Sequence, residues 1–140
     1  MERIVIGVDA SETARRAAAE GVELAASVGA TVHFVTAISK KTLGSDHGPE
    51  ADHSITTVEV AESLLGDMAS RYRESISEVT TSAVEGKPAD VIVAEADRVG
   101  ADLIIVGNRR MKGAGRFLGA IANNVAHHAN CSVYIANSTG

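Results

Sequence analysis

Short β-branched runs and amphipathic helical stretches take strict turns along this chain, and that alternation constrains the fold more than any other feature. Residues 3–8, 31–37, 78–84, 102–106 and 131–136 read as strands, dense in Val, Ile and other apolar residues. Between the first two, Ala14, Ala17, Ala18, Val22 and Ala25 recur at helical spacing until Gly29, a natural residue just past a helix end. Val58, Ala61, Leu65, Met68 and Tyr72 step by three and four, an amphipathic helix of about four turns. Gly86-Lys87-Pro88 puts a proline in the first turn of a third helix, where its missing N–H costs nothing, and Gly100 ends it. A fourth helical pattern runs from Phe117 to about Ala129. Strict alternation demands right-handed crossovers and a parallel sheet covered by helices on both faces, so the expected class is α/β.

The chain has 140 residues, enough for one domain that buries roughly two-thirds of its unfolded surface. With no Trp and 3% aromatics, its core must be built from Val, Ile, Leu and Ala. No stretch approaches the ~18 consecutive apolar residues of a membrane span, and no signal peptide is visible. A single cysteine excludes an internal disulfide and suits a reducing cytoplasm. The net charge of −5 argues against nucleic acid as the main partner.

Ligands of such sheets bind beyond the carboxyl ends of the strands, where the strand order reverses. Two segments are best equipped for that position, Val8-Asp9-Ala10-Ser11 and Val106-Gly107-Asn108. Asp9 or Ser11 can cap the helix that follows, and Asp9 with Glu12 has capping-box spacing. After Gly107, a loop over residues 108–116 holds Gly113, Gly115 and four of the chain's 13 basic residues, Arg109, Arg110, Lys112 and Arg116. A strand, a glycine-rich loop and a helix form a seat for phosphate: backbone N–H groups approach the anion and the helix start adds about half a positive charge. A small anionic ligand is therefore expected. Gly107 itself is expected to serve close backbone approach at φ > 0, so that Gly107→Val abolishes binding while the fold survives.

Other residues invite less. His127 and His128 are adjacent on a helix and point about 100° apart, unsuited to chelation, and His47 and His53 lie in a long polar loop over residues 39–54. No metal site is expected. Cys131 reads as a small buried apolar residue. With no Ser/His/Asp order, no paired acids and no phosphoryl-transfer signature, the chain is not expected to be an enzyme.

Ile4-Val5-Ile6-Gly7-Val8-Asp9-Ala10-Ser11-Glu12, Glu85-Gly86-Lys87-Pro88-Ala89-Asp90, Ala101-Asp102-Leu103-Ile104-Ile105-Val106-Gly107 and Val125-Ala126-His127-His128-Ala129-Asn130-Cys131-Ser132-Val133 together resemble a universal stress protein domain, over the entire chain. The resemblance implies strand order 3-2-1-4-5, a homodimer, cytoplasmic residence, a part in the stress response and, in one branch of the family, bound ATP. That branch is marked by Gly-x2-Gly-x9-Gly-(Ser/Thr). Here Gly107 and Gly119 match, Arg110 stands at the second glycine, eight residues rather than nine follow it, and Ala120 replaces the hydroxyl.

For a bound nucleotide, the resemblance implies that Gly107 and Gly119 with nearby amides cradle the phosphates. Asp9 would meet the ribose, and Ala37 would offer backbone to adenine. Gly7, Val8, Val106, Asn108, Arg110, Gly113, Ala120 and Ile121 complete the implied contact set. Magnesium is left open. The alternative is a homodimeric interaction module of the same fold without nucleotide. In the implied order the last strand lies at the sheet edge. Its Val133, Tyr134, Ile135 and Ala136 carry no charge or proline to discourage pairing, so the dimer is expected along residues 131–136, starting at Cys131.

Overall fold

Five parallel strands, β1 (Arg3–Gly7), β2 (Thr31–Ile38), β3 (Val79–Glu85), β4 (Leu103–Arg109) and β5 (Ser132–Ser138), form one sheet in the order β3-β2-β1-β4-β5. The computed structural model describes residues 1–39, 57–109 and 118–138, with Arg109 and Ser138 by their backbone. Four helices connect the strands: α1 (Glu12–Val28), α2 (Val58–Tyr72), α3 (Pro88–Val99) and α4 (Ala120–His128). The expected fold class and strand order are both found.

Local chemistry sets the helix ends. Ser11 is the residue before α1, and its hydroxyl accepts the Ala14 N–H at 3.1 Å. Gly29 and Gly100 close α1 and α3 in the left-handed region, at φ 73° and 69°, where a side chain would be strained. The Asp102 carboxylate, just before β4, accepts the N–H groups of Glu2 and Arg3 at 2.7 and 2.9 Å and so ties the start of β1 to β4. These two bonds hold its pKa below the usual carboxylate value.

Both faces of the sheet are covered, which is why its central strands are apolar without alternation. Ile4, Ile6, Phe34 and Ile105 pack under α1 and α2 with Val22, Leu65 and Met68. Val5, Val35, Ile104 and Val106 pack under α3 and α4 with Ile92 and Val125. Apart from Val22, the inner face of α1 is made of very small residues, Ala14, Ala17, Ala18, Gly21 and Ala25. A Cβ on Gly21 would stand 2.9 Å from side-chain carbons of both Ile6 and Ile105, so the helix lies unusually close to β1 and β4.

The strand ends differ from expectation in one instructive place. β4 does not stop at Gly107; it continues through Asn108 and Arg109, which pair with Asn137 and Ser138 of a longer β5. Glycine there does not mark a turn, because Gly107 is not among the described glycines at positive φ, which are Gly29, Gly86 and Gly100. α4 starts at Ala120 after Leu118 and Gly119; the expected start at Phe117 lies outside the described residues, as does the 39–54 loop except for Ser39.

Candidate ligand-binding site

The sheet order reverses at β1 and β4: β1 leads through α1 to β2 on one side, while α3 brings the chain across to β4 on the other. The carboxyl ends of these strands therefore part company, and a small crevice of about 70 Å³, open to solvent, lies beyond them. Gly7, Val8 and Asp9 leave β1 into it, Val35 and Ala37 come from β2, Val106 and Gly107 from β4, and Ile121 from α4. Ser11, Thr13 and Ala14 of the α1 start, with Pro88 and Ile92 of α3, complete the lining.

Of the residues singled out in the sequence, Gly7, Val8, Asp9, Ala37, Val106, Gly107 and Ile121 are thus brought together. Asn108, Gly119 and Ala120 stand beside them, where β4 meets the start of α4. Arg110 and Gly113 lie outside the described residues, as do Lys112 and Arg116. The contributions of Thr13, Val35, Pro88 and Ile92 were not foreseen. Pro88 carried the available signal, since a proline opening a crossover helix places that helix start at the same end of the sheet.

Capping at α1 is now resolved. Ser11 caps the helix, while Asp9 accepts the Ser11 N–H at 2.7 Å through Oδ1 and braces the turn. Gly107 also needs a different explanation from the expected one. A Cβ there would stand 3.0 Å from the Thr13 carbonyl oxygen, 2.9 Å from Thr13 Cγ2 and 3.1 Å from Ala17 Cβ. Its glycine serves the seating of α1 on β4, so the expectation that Gly107→Val spares the fold is corrected.

Three helices begin around the crevice, and their N-terminal N–H groups are not equally available. α1 has its Ser11 cap and an acidic Glu12 in the first turn. α3 opens with Pro88 and carries Asp90. α4 has neither a capping side chain on Gly119 nor an acid in its first turn. Instead, the side chain of Asn108, 5% exposed, reaches across and accepts the Gly119 N–H through Oδ1 at 2.6 Å. By the partial charges of helix ends, an anion in this crevice is best placed toward α4.

A second polar cluster lies elsewhere and was missed in the sequence. His33 of β2 meets Glu95 of α3 (Nε2 to Oε1, 3.0 Å) and Thr80 of β3 (Nδ1 to Oγ1, 2.7 Å). Arg98 donates to both Glu95 oxygens at 2.9 Å. The Arg98 hydrogen bonds outweigh the cost of burial and, with His33 and Ser82, lower the Glu95 pKa to about 2. Cys131 is half-buried rather than buried, and burial first, then Asp97 and Asp102, raise its thiol pKa. Among the described residues no group of three or more His, Cys, Asp or Glu is arranged to hold a metal ion, and no helix is long and apolar enough to cross a membrane.

A doubly wound parallel sheet with a crevice at its reversal point defines the class, an α/β domain whose ligands enter beyond the strand ends. The universal stress protein family model matches residues 1–137, and the chain belongs to that family. A universal stress protein of Mycobacterium tuberculosis is 27% identical over 143 residues, covering 97% of this chain and 96% of the relative. Among solved structures, a universal stress protein in complex with cAMP superposes with a TM-score of 0.74 at 25% identity, covering 99% of this chain and 98% of that one. The Archaeoglobus fulgidus universal stress protein in complex with dAMP gives 0.67 at 27% identity, covering 96% and 97%.

Proposed function

We propose that this protein binds an adenine nucleotide in the crevice between the β1 and β4 ends, and acts as a cytoplasmic stress-response regulator rather than an enzyme. The observation that carries the reading is the set of groups converging there: apolar Val35, Ala37 and Ile121, the Asp9 carboxylate and the sparsely capped start of α4. Such a crevice suits a flat base with an anionic tail, and family members solved in complex with cAMP and with dAMP point the same way. In this assignment Val35 and Ala37 flank the base, Asp9 faces the sugar, and Gly119 with the first amides of α4 faces the phosphate. A regulator needs only that binding change its partners. We place those partners on a homodimer joined along β5, one of the two edges of the sheet.

The test is a titration of 15N-labelled protein with AMP, cAMP and ATP. The amides of Val8, Asp9, Ala37, Val106 and Gly119 are expected to shift in a saturable way. The absence of Trp also lets nucleotide carried through purification show as excess absorbance near 260 nm. If no crevice amide moves with any of the three, the nucleotide reading falls. The homodimeric interaction module then takes its place, as the missing hydroxyl at Ala120 and Arg110 in place of glycine would favour.

A further inference from the structure

We infer that Asn108 sets which ligands the crevice accepts, by occupying with its own side-chain carbonyl the N–H that a phosphate would take. The inference rests on the nucleotide reading above and deepens it. The Gly119 N–H opens α4, the one of the three converging helices without an acid in its first turn. Asn108 Oδ1 accepts that N–H at 2.6 Å, from a side chain only 5% exposed. Glycine at 119 leaves room for this contact, since a Cβ there would lie 3.3 Å from the same oxygen. A ligand phosphate must displace a neutral, well-aligned acceptor before it gains this donor.

Two consequences follow from that exchange. A ligand gains from Gly119 only the difference between a charge-assisted bond and the neutral bond it replaces. A nucleoside, which has no group for that position, is unaffected by the exchange. The crevice therefore discriminates weakly between a nucleoside and its monophosphate, and Asn108 is the residue that compresses the difference. The same bond couples β4 to α4, so ligands that displace it release the α4 start while nucleosides leave it in place.

The experiment compares adenosine and AMP by calorimetry on the wild type, Asn108→Ala and Asn108→Asp. The readout is the ratio of the two dissociation constants, which a change in overall stability does not move. Removing one neutral competitor of ordinary hydrogen-bond strength should shift the ratio toward AMP by about three- to tenfold in Asn108→Ala. Asn108→Asp keeps the acceptor and adds a negative charge, so its ratio should shift toward adenosine, and less so at high salt. In the wild type, the Gly119 amide resonance should move with AMP and stay with adenosine, a measurement that needs no variant to fold. Equal ratios in all three proteins, or a Gly119 amide that responds alike to both ligands, overturn the inference while the nucleotide reading stands. If neither ligand binds the wild type, the nucleotide reading itself has failed and the role of Asn108 goes with it.

Discussion

His33 Nε2 and Glu95 Oε1 lie 3.0 Å apart between β2 and α3, with both side chains more than nine-tenths buried. A buried carboxylate is tolerated only when its oxygens are used, and here they are, by His33 on one side and by Arg98 on the other. The cluster joins β2, β3 and α3 on the outer half of the sheet, away from the crevice. Its role is therefore structural, and its signature is sensitivity to acid.

Glu95 titrates at about 2 in the folded protein against an ordinary 4.5. A depressed folded pKa contributes stability above the unfolded value and loses it as pH falls through the folded one. The contribution is at most about 3 kcal/mol at neutral pH, less where the half-exposed Arg98 is screened by water. Urea unfolding of wild type and Glu95→Gln should show the variant less stable by about 2 kcal/mol at pH 7. The two should converge as the pH drops from about 5 toward 2. A difference that stays constant with pH would mean the carboxylate charge contributes nothing.

Gly107 and Gly66 offer a matched pair for thermal melting. At Gly107 an added methyl meets the Thr13 carbonyl oxygen at 3.0 Å, a backbone atom with no rotamer to escape into. Gly107→Ala should therefore lose about 1–3 kcal/mol by overpacking, and Gly107→Val more. Gly66 lies inside α2 with nothing within 4 Å of its would-be Cβ. Gly66→Ala should gain about 0.5–1 kcal/mol from helix propensity alone. Equal effects at the two sites would contradict the close seating of α1 on β4.

Thr36 is 1% exposed, and its hydroxyl has no hydrogen-bond partner among the described residues. An unsatisfied buried hydroxyl costs about 1–3 kcal/mol, and valine offers nearly the same shape without it. Thr36→Val should raise the melting temperature, with a gain of about 1 kcal/mol. A melting temperature below the wild type would show that the hydroxyl is satisfied in solution.

The proposed β5 dimer is best challenged at Tyr134. Val133 and Ile135 pack against the α3/α4 core, so a lysine at either position would damage the subunit itself. Tyr134 is exposed and points to the other face, where its hydroxyl donates to Glu20 of α1. Tyr134→Lys can keep a partner in Glu20 while placing two like charges near one another across a two-fold edge pairing. Sedimentation or light scattering should show a weaker dimer, with the melting behaviour of the subunit retained. An unaltered dimer would move the interface away from this strand.

Strand count, helix count and sheet order were legible because each element carries its own period and its own stop signal. Gly29 and Gly100 end helices as expected, at positive φ. Gly107 misled, because a glycine at a strand end and a glycine under a helix look alike in one dimension. Its reason, the Thr13 backbone, lies almost a hundred residues earlier in the chain. The His33 cluster was hidden for the same cause: its partners are 47 and 62 positions away. One clue was present, an acid at position 95 on the face of α3 that also carries Ile92 and Ala96. The crevice was found from topology, but the Asn108–Gly119 bond spans a loop whose path no periodicity describes.

The glycine and alanine surface of α1 has a bearing on how this protein can change over generations. Apart from Val22, its inner positions already hold the smallest side chains, so most replacements there add volume against Ile6, Ile105 or the β4 backbone. The strands beneath, made of Val and Ile, can trade among themselves at lower cost. A saturation mutagenesis map is expected to show the small inner positions of α1 as less tolerant than the strands beneath. Change at the crevice then meets less resistance on the α4 side than along the α1 wall.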